Sequence, residues 1–304
     1  MPVAQLQPKD YIRTITSEST RYSEADAVEY TRWLATHHYE NFHVVSFLLP
    51  RELHQDFYNV YAFCRWADDL GDEIGDPDES LRLLAWWRKE LNAMYRGDAA
   101  HPVFIALKGS VERHAIPIEP FDRLIRAFEQ DQVVTRYQNF SGVFDYCLNS
   151  ANPVGHLVLY LCGYRDSERQ RLSDYTCTAL QLANFWQDVT VDMQKNRIYL
   201  PLDLFDKNGY SVQELFALTF DSRFEAIMRE AVDVAQDLFE KGLPLVSTVN
   251  RRLALDLELF SRGGMKVLDK IRRQGYNVLK QRPHIGKTER VGLLLRCLPR
   301  LLPF

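Results

Sequence analysis

The sequence contains no uninterrupted apolar stretch approaching the ~18 residues that a membrane-spanning helix requires. Its first twenty residues mix charged and polar groups, so no signal peptide is expected there. Both absences point to a soluble, cytoplasmic chain that at most lies on the inner face of a membrane. Cysteine is scarce: Cys64, Cys147, Cys162, Cys177 and Cys297 form no C-x-x-C pair, are odd in number and sit among apolar residues. That pattern excludes a disulfide scaffold and favours reduced core thiols. Positive charge is not in excess either, with 37 Lys and Arg against 41 Asp and Glu and a formal net charge of −4. A nucleic-acid binder that relies on neutralising phosphates is thereby excluded. Alternating strand patterns with hairpin turns are missing. No Gly-rich dinucleotide signature follows a strand, so use of a nicotinamide cofactor has no support.

What is present is helical periodicity. Apolar residues make up 46% of the chain, enough for a substantial core. From Ser23, a candidate N-cap, Ala27, Tyr30 and Leu34 recur on one helical face. Leu53, Phe57, Val60, Tyr61 and Cys64 continue the pattern until Gly75-Asp76-Pro77. Further segments fit Glu79–Tyr95, Pro102–His114, Glu119–Phe128, Phe144–Tyr164, Asp174–Val191, Phe224–Phe239 and Ala254–Lys280. Gly97, Pro117, Gly209 and Gly242 to Pro244 punctuate them. Without a repeat or a linker, the expected architecture is all-α: a single domain over 1–304, built of roughly ten helices.

Two acidic clusters stand where helix stability disfavours them. In YAFCRWADDLGDE, Tyr61, Arg65, Asp68 and Asp72 share one face, and Asp69 and Glu73 crowd the same last turns. In QLANFWQDVTVDMQKNR, Gln181, Asn184, Asp188 and Asp192 share a face, with Lys195 and Arg197 following. Carboxylates near a helix C-terminus meet a negative macrodipole and repel at i, i+4, costing a few tenths to about 1 kcal/mol each. A solvated acidic face explains one such cluster as readily as a site does. Two with matched spacing, both among aromatic residues (Phe63, Trp66; Phe185, Trp186), point to a cation. Mg²⁺ takes hard oxygen ligands, commonly one or two carboxylates with substrate phosphates, and would neutralise a departing diphosphate. The rival, a di-metal carboxylate bundle, needs two Glu-x-x-His pairs. Glu40–His43 stands alone here.

At these residues the chain resembles the squalene/phytoene synthase family of head-to-head prenyl synthases, over roughly residues 24–282, with 283–304 as a C-terminal tail. The resemblance implies a terpenoid-synthase-like helical bundle with a central apolar cavity, using Mg²⁺ and a prenyl diphosphate. It places metal at Asp68, Asp72, Asn184, Asp188 and Asp192, catalytic roles at those four aspartates and Tyr61, and substrate at Arg65, Gln181 and Asn184. YCLNSANPVG resembles the substrate-lining segment, implying that Tyr146, Ala151 and Gly155 run along the prenyl chains. Tyr276, in RRQGYNVL, matches a cavity tyrosine. HHYENFHVVSFLLPR and NFWQDV resemble most the hydroxysqualene-forming branch of bacterial hopanoid biosynthesis. That branch ionises presqualene diphosphate, opens its cyclopropane and captures the cation with water, as a carbon–oxygen lyase. Two departures from the wider family fit a single diphosphate: His38-Tyr39-Glu40-Asn41-Phe42 replaces a Ser-rich segment, and Gln187 replaces an arginine before Asp188.

The remaining residues carry two readings each. Arg65 is either an ion pair with Asp68 or Asp69, or a guanidinium fork for diphosphate. Lys195 and Arg197 are dipole partners of a helix end or a flap over diphosphate. Tyr61, Tyr146 and Tyr276 are core aromatics or π faces that shield a cation. Asn152-Pro153 bends or breaks its helix. Asn41 is a candidate to orient the quenching water, and Phe42 beside it to line the substrate; His37 and His38 read as structural. The tail VGLLLRCLPRLLPF packs on the domain or touches a membrane surface. Other enzymes of squalene biosynthesis are candidate partners. The competing functions are a condensing synthase that makes presqualene diphosphate, squalene or a phytoene-type product, and a non-catalytic assembly or lipid-binding protein.

Overall fold

The computed structural model describes residues 22–37 and 50–297. Asn41 and Phe42, most of the HHYENF segment and the end of the apolar tail lie outside the described residues. Fourteen α-helices run through the described part: α1 Glu24–His37, α2 His54–Asp72, α3 Pro77–Tyr95, α4 Pro102–His114, α5 Glu119–Asp131, α6 Phe140–Ser150, α7 Asn152–Leu161, α8 Ser167–Gln187, α9 Val189–Gln194, α10 Leu202–Asn208, α11 Val212–Phe216, α12 Ser222–Gly242, α13 Arg251–Arg273 and α14 Lys287–Cys297. Extended pairing among the described residues is limited to an isolated bridge between Arg136 and Ile198. The protein is all-α, as the periodicity required.

Local chemistry sets the helix starts. Asp76 caps α3 by accepting from the Asp78 and Glu79 amides, with Pro77 at the first helical position, where its missing N–H costs nothing. Asp166, Asp221 and Asn250 cap α8, α12 and α13 in the same way. Ser211 and Glu214 form a reciprocal capping box on α11. The predicted segment Phe144–Tyr164 is two helices, α6 and α7, meeting at Ala151. Pro153 has no amide to donate, and its ring opposes the preceding turn, so the helix breaks where the sequence placed the strain.

The described residues form two compact units, one of 22–37, 50–133 and 153–165, the other of 134–152 and 166–297. The first is centred on stacked aromatics: Trp66 and Trp87 lie 5.1 Å apart at 10°, with Phe63 and Phe104 against Trp87. A buried polar network ties α2 to α4, with Ser110 and Arg113 donating to Asp56 and Asn59 donating to the Ala106 carbonyl. In the second unit α8 and α12 approach closely at Gly242. A Cβ there would stand 3.0 Å from the Thr176 nitrogen and 3.2 Å from the Leu172 oxygen. Glycine is the residue that permits this contact.

Candidate active site

The first acidic segment is the last part of α2. Phe63, Trp66, Ala67 and Leu70 are fully buried and fix the inward face of the helix. Asp68 and Asp72, one turn apart, are partly exposed, while Tyr61 is buried two turns upstream. Arg65 pairs with Asp69 at 2.5 Å and with Asp68 at 3.5 Å. Burial opposes its charge, but Asp69 and then Asp68 outweigh this and hold the guanidinium above its ordinary range. Asp69, whose side chain is only 4% exposed, thus anchors Arg65 from below, and the more exposed Asp68 and Asp72 remain as outward carboxylates.

The second acidic segment departs from the expected continuous helix. α8 ends at Gln187, Asp188 takes φ −106° and ψ 15°, and α9 starts at Val189. The Asp192 amide still donates to the Asp188 carbonyl at 2.9 Å, so the two aspartates keep one turn of separation across the break. Two β-branched valines and a threonine in VTV favour helix weakly, and Asp188 lies at the junction. Gln181 is half-buried and Asn184 exposed one turn further on.

Arg282, which the sequence reading missed, reaches back to this break. Its Nε and Nη2 donate to the two oxygens of Asp188, the second at 3.1 Å. That hydrogen bonding, with the added charge of Asp192, raises the guanidinium above its ordinary range against its partial burial. Gln187 donates to the carbonyl of Pro283 and so pins the segment that presents Arg282. No local signal could have found the pair, since 94 positions separate the partners.

An aromatic wall adjoins the same segment. Phe185 and Tyr199 stack at 3.6 Å and 5°, Tyr137 stacks on Tyr199 at 5.7 Å, and Tyr146 lies 5.7–6.1 Å from Tyr137, Phe185 and Tyr199. Tyr146 was anticipated; Tyr137 and Tyr199 were not. The segment carrying Lys195 and Arg197 is fastened beneath this wall. Asn196 turns with φ 55°, the Ile198 amide donates to Thr135 O, and that of Leu202 donates to Tyr137 O. These backbone bonds anchor the chain just beyond Arg197. Ala151 is buried at the α6–α7 break, and Gly155 is half-buried within α7. Tyr276 takes φ 62° after α13, and the Arg229 guanidinium lies over its ring, 4.7 Å from the ring centre. A groove of about 610 Å³ between α6 and α12, lined by Phe140, Phe144, Val234 and Leu238, contains none of the predicted site residues.

The four aspartates supply only hard oxygen donors, and each is accessible in part. Among the described residues no three His, Cys, Asp or Glu side chains converge. A closed protein cage is not what Mg²⁺ needs when substrate phosphates complete its shell. Each aspartate pair, taken by itself, therefore fits that ion. No helix among the described residues is long and apolar enough to cross a membrane. Of the cysteines whose side chains are described, none is in a disulfide. Burial pushes the Cys64 and Cys147 thiols up to about 12, which makes them inert.

Comparison with known proteins agrees with these features. The family model for squalene/phytoene synthase matches residues 35–289. The phytoene synthase of Thermus thermophilus is 31% identical over 258 residues, covering 84% of this chain and 87% of its own. The hydroxysqualene synthase of Sinorhizobium fredii is 30% identical over 260 residues, covering 84% and 86%. The crystal structure of squalene synthase HpnC from Alicyclobacillus acidocaldarius matches with a TM-score of 0.80 at 43% identity, covering 85% of this chain and 98% of that one. With helices throughout, paired aspartate segments and a match over most of its length, this chain belongs to the squalene/phytoene synthase family of prenyl diphosphate-using synthases.

Proposed function

We propose that this protein is a hydroxysqualene synthase, a Mg²⁺-dependent lyase that converts presqualene diphosphate and water to hydroxysqualene and diphosphate. Asp68 and Asp72 on α2 would hold Mg²⁺, as would Asp188 and Asp192 around the α8–α9 break. The bound ion would supply neutralisation of the departing diphosphate. Arg65 and Arg282 present guanidinium forks suited to phosphate oxygens. Because Arg282 already holds Asp188, it is poised to transfer its hydrogen bonds to an arriving diphosphate, which frees Asp188 as an oxygen ligand. The carbon–oxygen bond breaks, with its electron pair leaving on diphosphate. The π faces of Phe185, Tyr146 and Tyr199 favour the cation and offer no strong nucleophile to it. The cyclopropane opens, a water oxygen bonds to the cationic carbon, and its proton is lost. No electrons are exchanged with a cofactor.

What favours one diphosphate over two is Gln187 itself, a neutral amide that donates to the Pro283 carbonyl, so position 187 contributes no cation. The similar identity to a phytoene synthase supports a second reading, a condensing synthase that joins two prenyl diphosphates. Incubation with presqualene diphosphate, Mg²⁺ and ¹⁸O-water decides. Hydroxysqualene carrying one ¹⁸O is expected, and turnover of farnesyl diphosphate with presqualene diphosphate left intact would sink the lyase reading.

A further inference from the structure

Large apolar residues exposed one at a time are ordinary on a protein surface. The turn after α11 is different: Phe216, Leu218 and Phe220 are 44%, 50% and 38% exposed within five residues. Leu218 takes φ 55°, the left-handed region that penalises a branched side chain and would normally be given to glycine or asparagine. The chain therefore accepts both backbone strain and solvent exposure to display a leucine at this point.

The turn is held firmly. The amides of Leu218 and Thr219 donate to Leu215 O and Glu214 O, and the Tyr210 hydroxyl donates to Thr219 O at 2.6 Å. Arg223 occupies the carboxylates of both Glu214 and Asp221 beneath it. Arg136 lies over the Phe216 ring, 5.9 Å from its centre. Its guanidinium donates to Thr135 O and to both oxygens of Asn196, and it makes no ion pair with a carboxylate among the described residues. Apolar tips beside an uncompensated guanidinium match an anionic lipid surface, where hydrocarbon accepts the first and phosphate the second. Leu215, at the buried base of the turn, shares a small void with Val189, Asp192, Met193 and Arg197, and Val191 on α9 is 42% exposed. The patch therefore flanks the second aspartate segment.

We propose that the Phe216–Leu218–Phe220 turn, with Arg136, seats the protein on a membrane surface bearing anionic lipid. Its further consequence, delivery of a bilayer-dissolved prenyl diphosphate beside Asp192, rests on the function proposed above. Sedimentation with vesicles of phosphatidylcholine containing phosphatidylglycerol tests the seat without requiring turnover. Leu218→Gly should bind at least about threefold more weakly while melting no lower than the parent, because glycine relieves the left-handed strain as it removes the apolar tip. The triple variant Phe216→Ser/Leu218→Ser/Phe220→Ser should lose about tenfold or more. Arg136→Gln should weaken binding to the anionic vesicles and leave binding to pure phosphatidylcholine unchanged. Unaltered sedimentation of Leu218→Gly and of the triple variant would overturn the proposal. So would a change confined to self-association, which would make the turn a contact between copies. For delivery, the variants should lose turnover with vesicle-borne presqualene diphosphate and retain it with detergent-dispersed substrate. An enzyme that turns over neither form, yet sediments as expected, would refute the activity reading and leave the seat standing.

Discussion

Asp256 offers the sharpest test of the fold's electrostatics. It sits in the first turns of α13 between Leu255 and Leu257, is 1% exposed, and neither of its oxygens has a hydrogen-bond partner among the described residues. Burial alone pushes its carboxyl up to about 8 from an ordinary 3.8. A folded-state value above the unfolded one means that the fold retains a proton which the unfolded chain releases. The associated stability is complete below pH 3.8 and is lost as pH rises towards 8. Within that window the loss is about 1.4 kcal/mol per pH unit, or about 3 kcal/mol between pH 5 and pH 7. Asp256→Asn keeps the shape and abolishes the titration. Its stability relative to the parent, measured by urea unfolding across pH 5–8, should therefore rise by about 3 kcal/mol between pH 5 and pH 7. Parallel curves for parent and variant would show that the carboxylate is ionised and compensated, and would refute the reasoning.

The remaining predictions concern the site and the packing. Asp68→Asn and Asp188→Asn should each lower diphosphate release by about a hundredfold or more with unchanged circular dichroism, since each removes a charge needed at the departing group. Arg282→Gln should strengthen Mn²⁺ binding to the substrate-free protein, by releasing Asp188, and weaken inhibition by inorganic diphosphate about tenfold; calorimetric titrations that move together in one direction would contradict the handover. Gly242→Ala should cost about 1–3 kcal/mol, because its Cβ meets backbone atoms of α8. By contrast Gly263→Ala, with nothing within 4 Å, should be neutral or stabilising by up to about 1 kcal/mol in thermal melts.

Helix content, most helix spans and the location of both acidic segments were legible in the sequence. They depend on interactions within a few residues: apolar spacing along α2, the Asp76-Pro77 start of α3, the proline that divides α6 from α7. The metal-ligand candidates were legible for the same reason, since four carboxylates at helix ends conflict with local electrostatics whatever the tertiary fold. The short helices α10 and α11 escaped notice because five to seven residues carry too little periodicity to register.

Only the tertiary structure decided what surrounds those aspartates. The Arg282–Asp188 pair, the Tyr137–Tyr199–Phe185 stack and the anchoring of the chain beyond Arg197 to Thr135 and Tyr137 join residues from 14 to 94 positions apart. Their energies arise from long-range closure, which local spacing does not encode. The suspended carboxyl of Asp256 belongs to the same class. Sequence determined which groups bear charge; packing decided which of those charges are paired, which are suppressed and which face solvent.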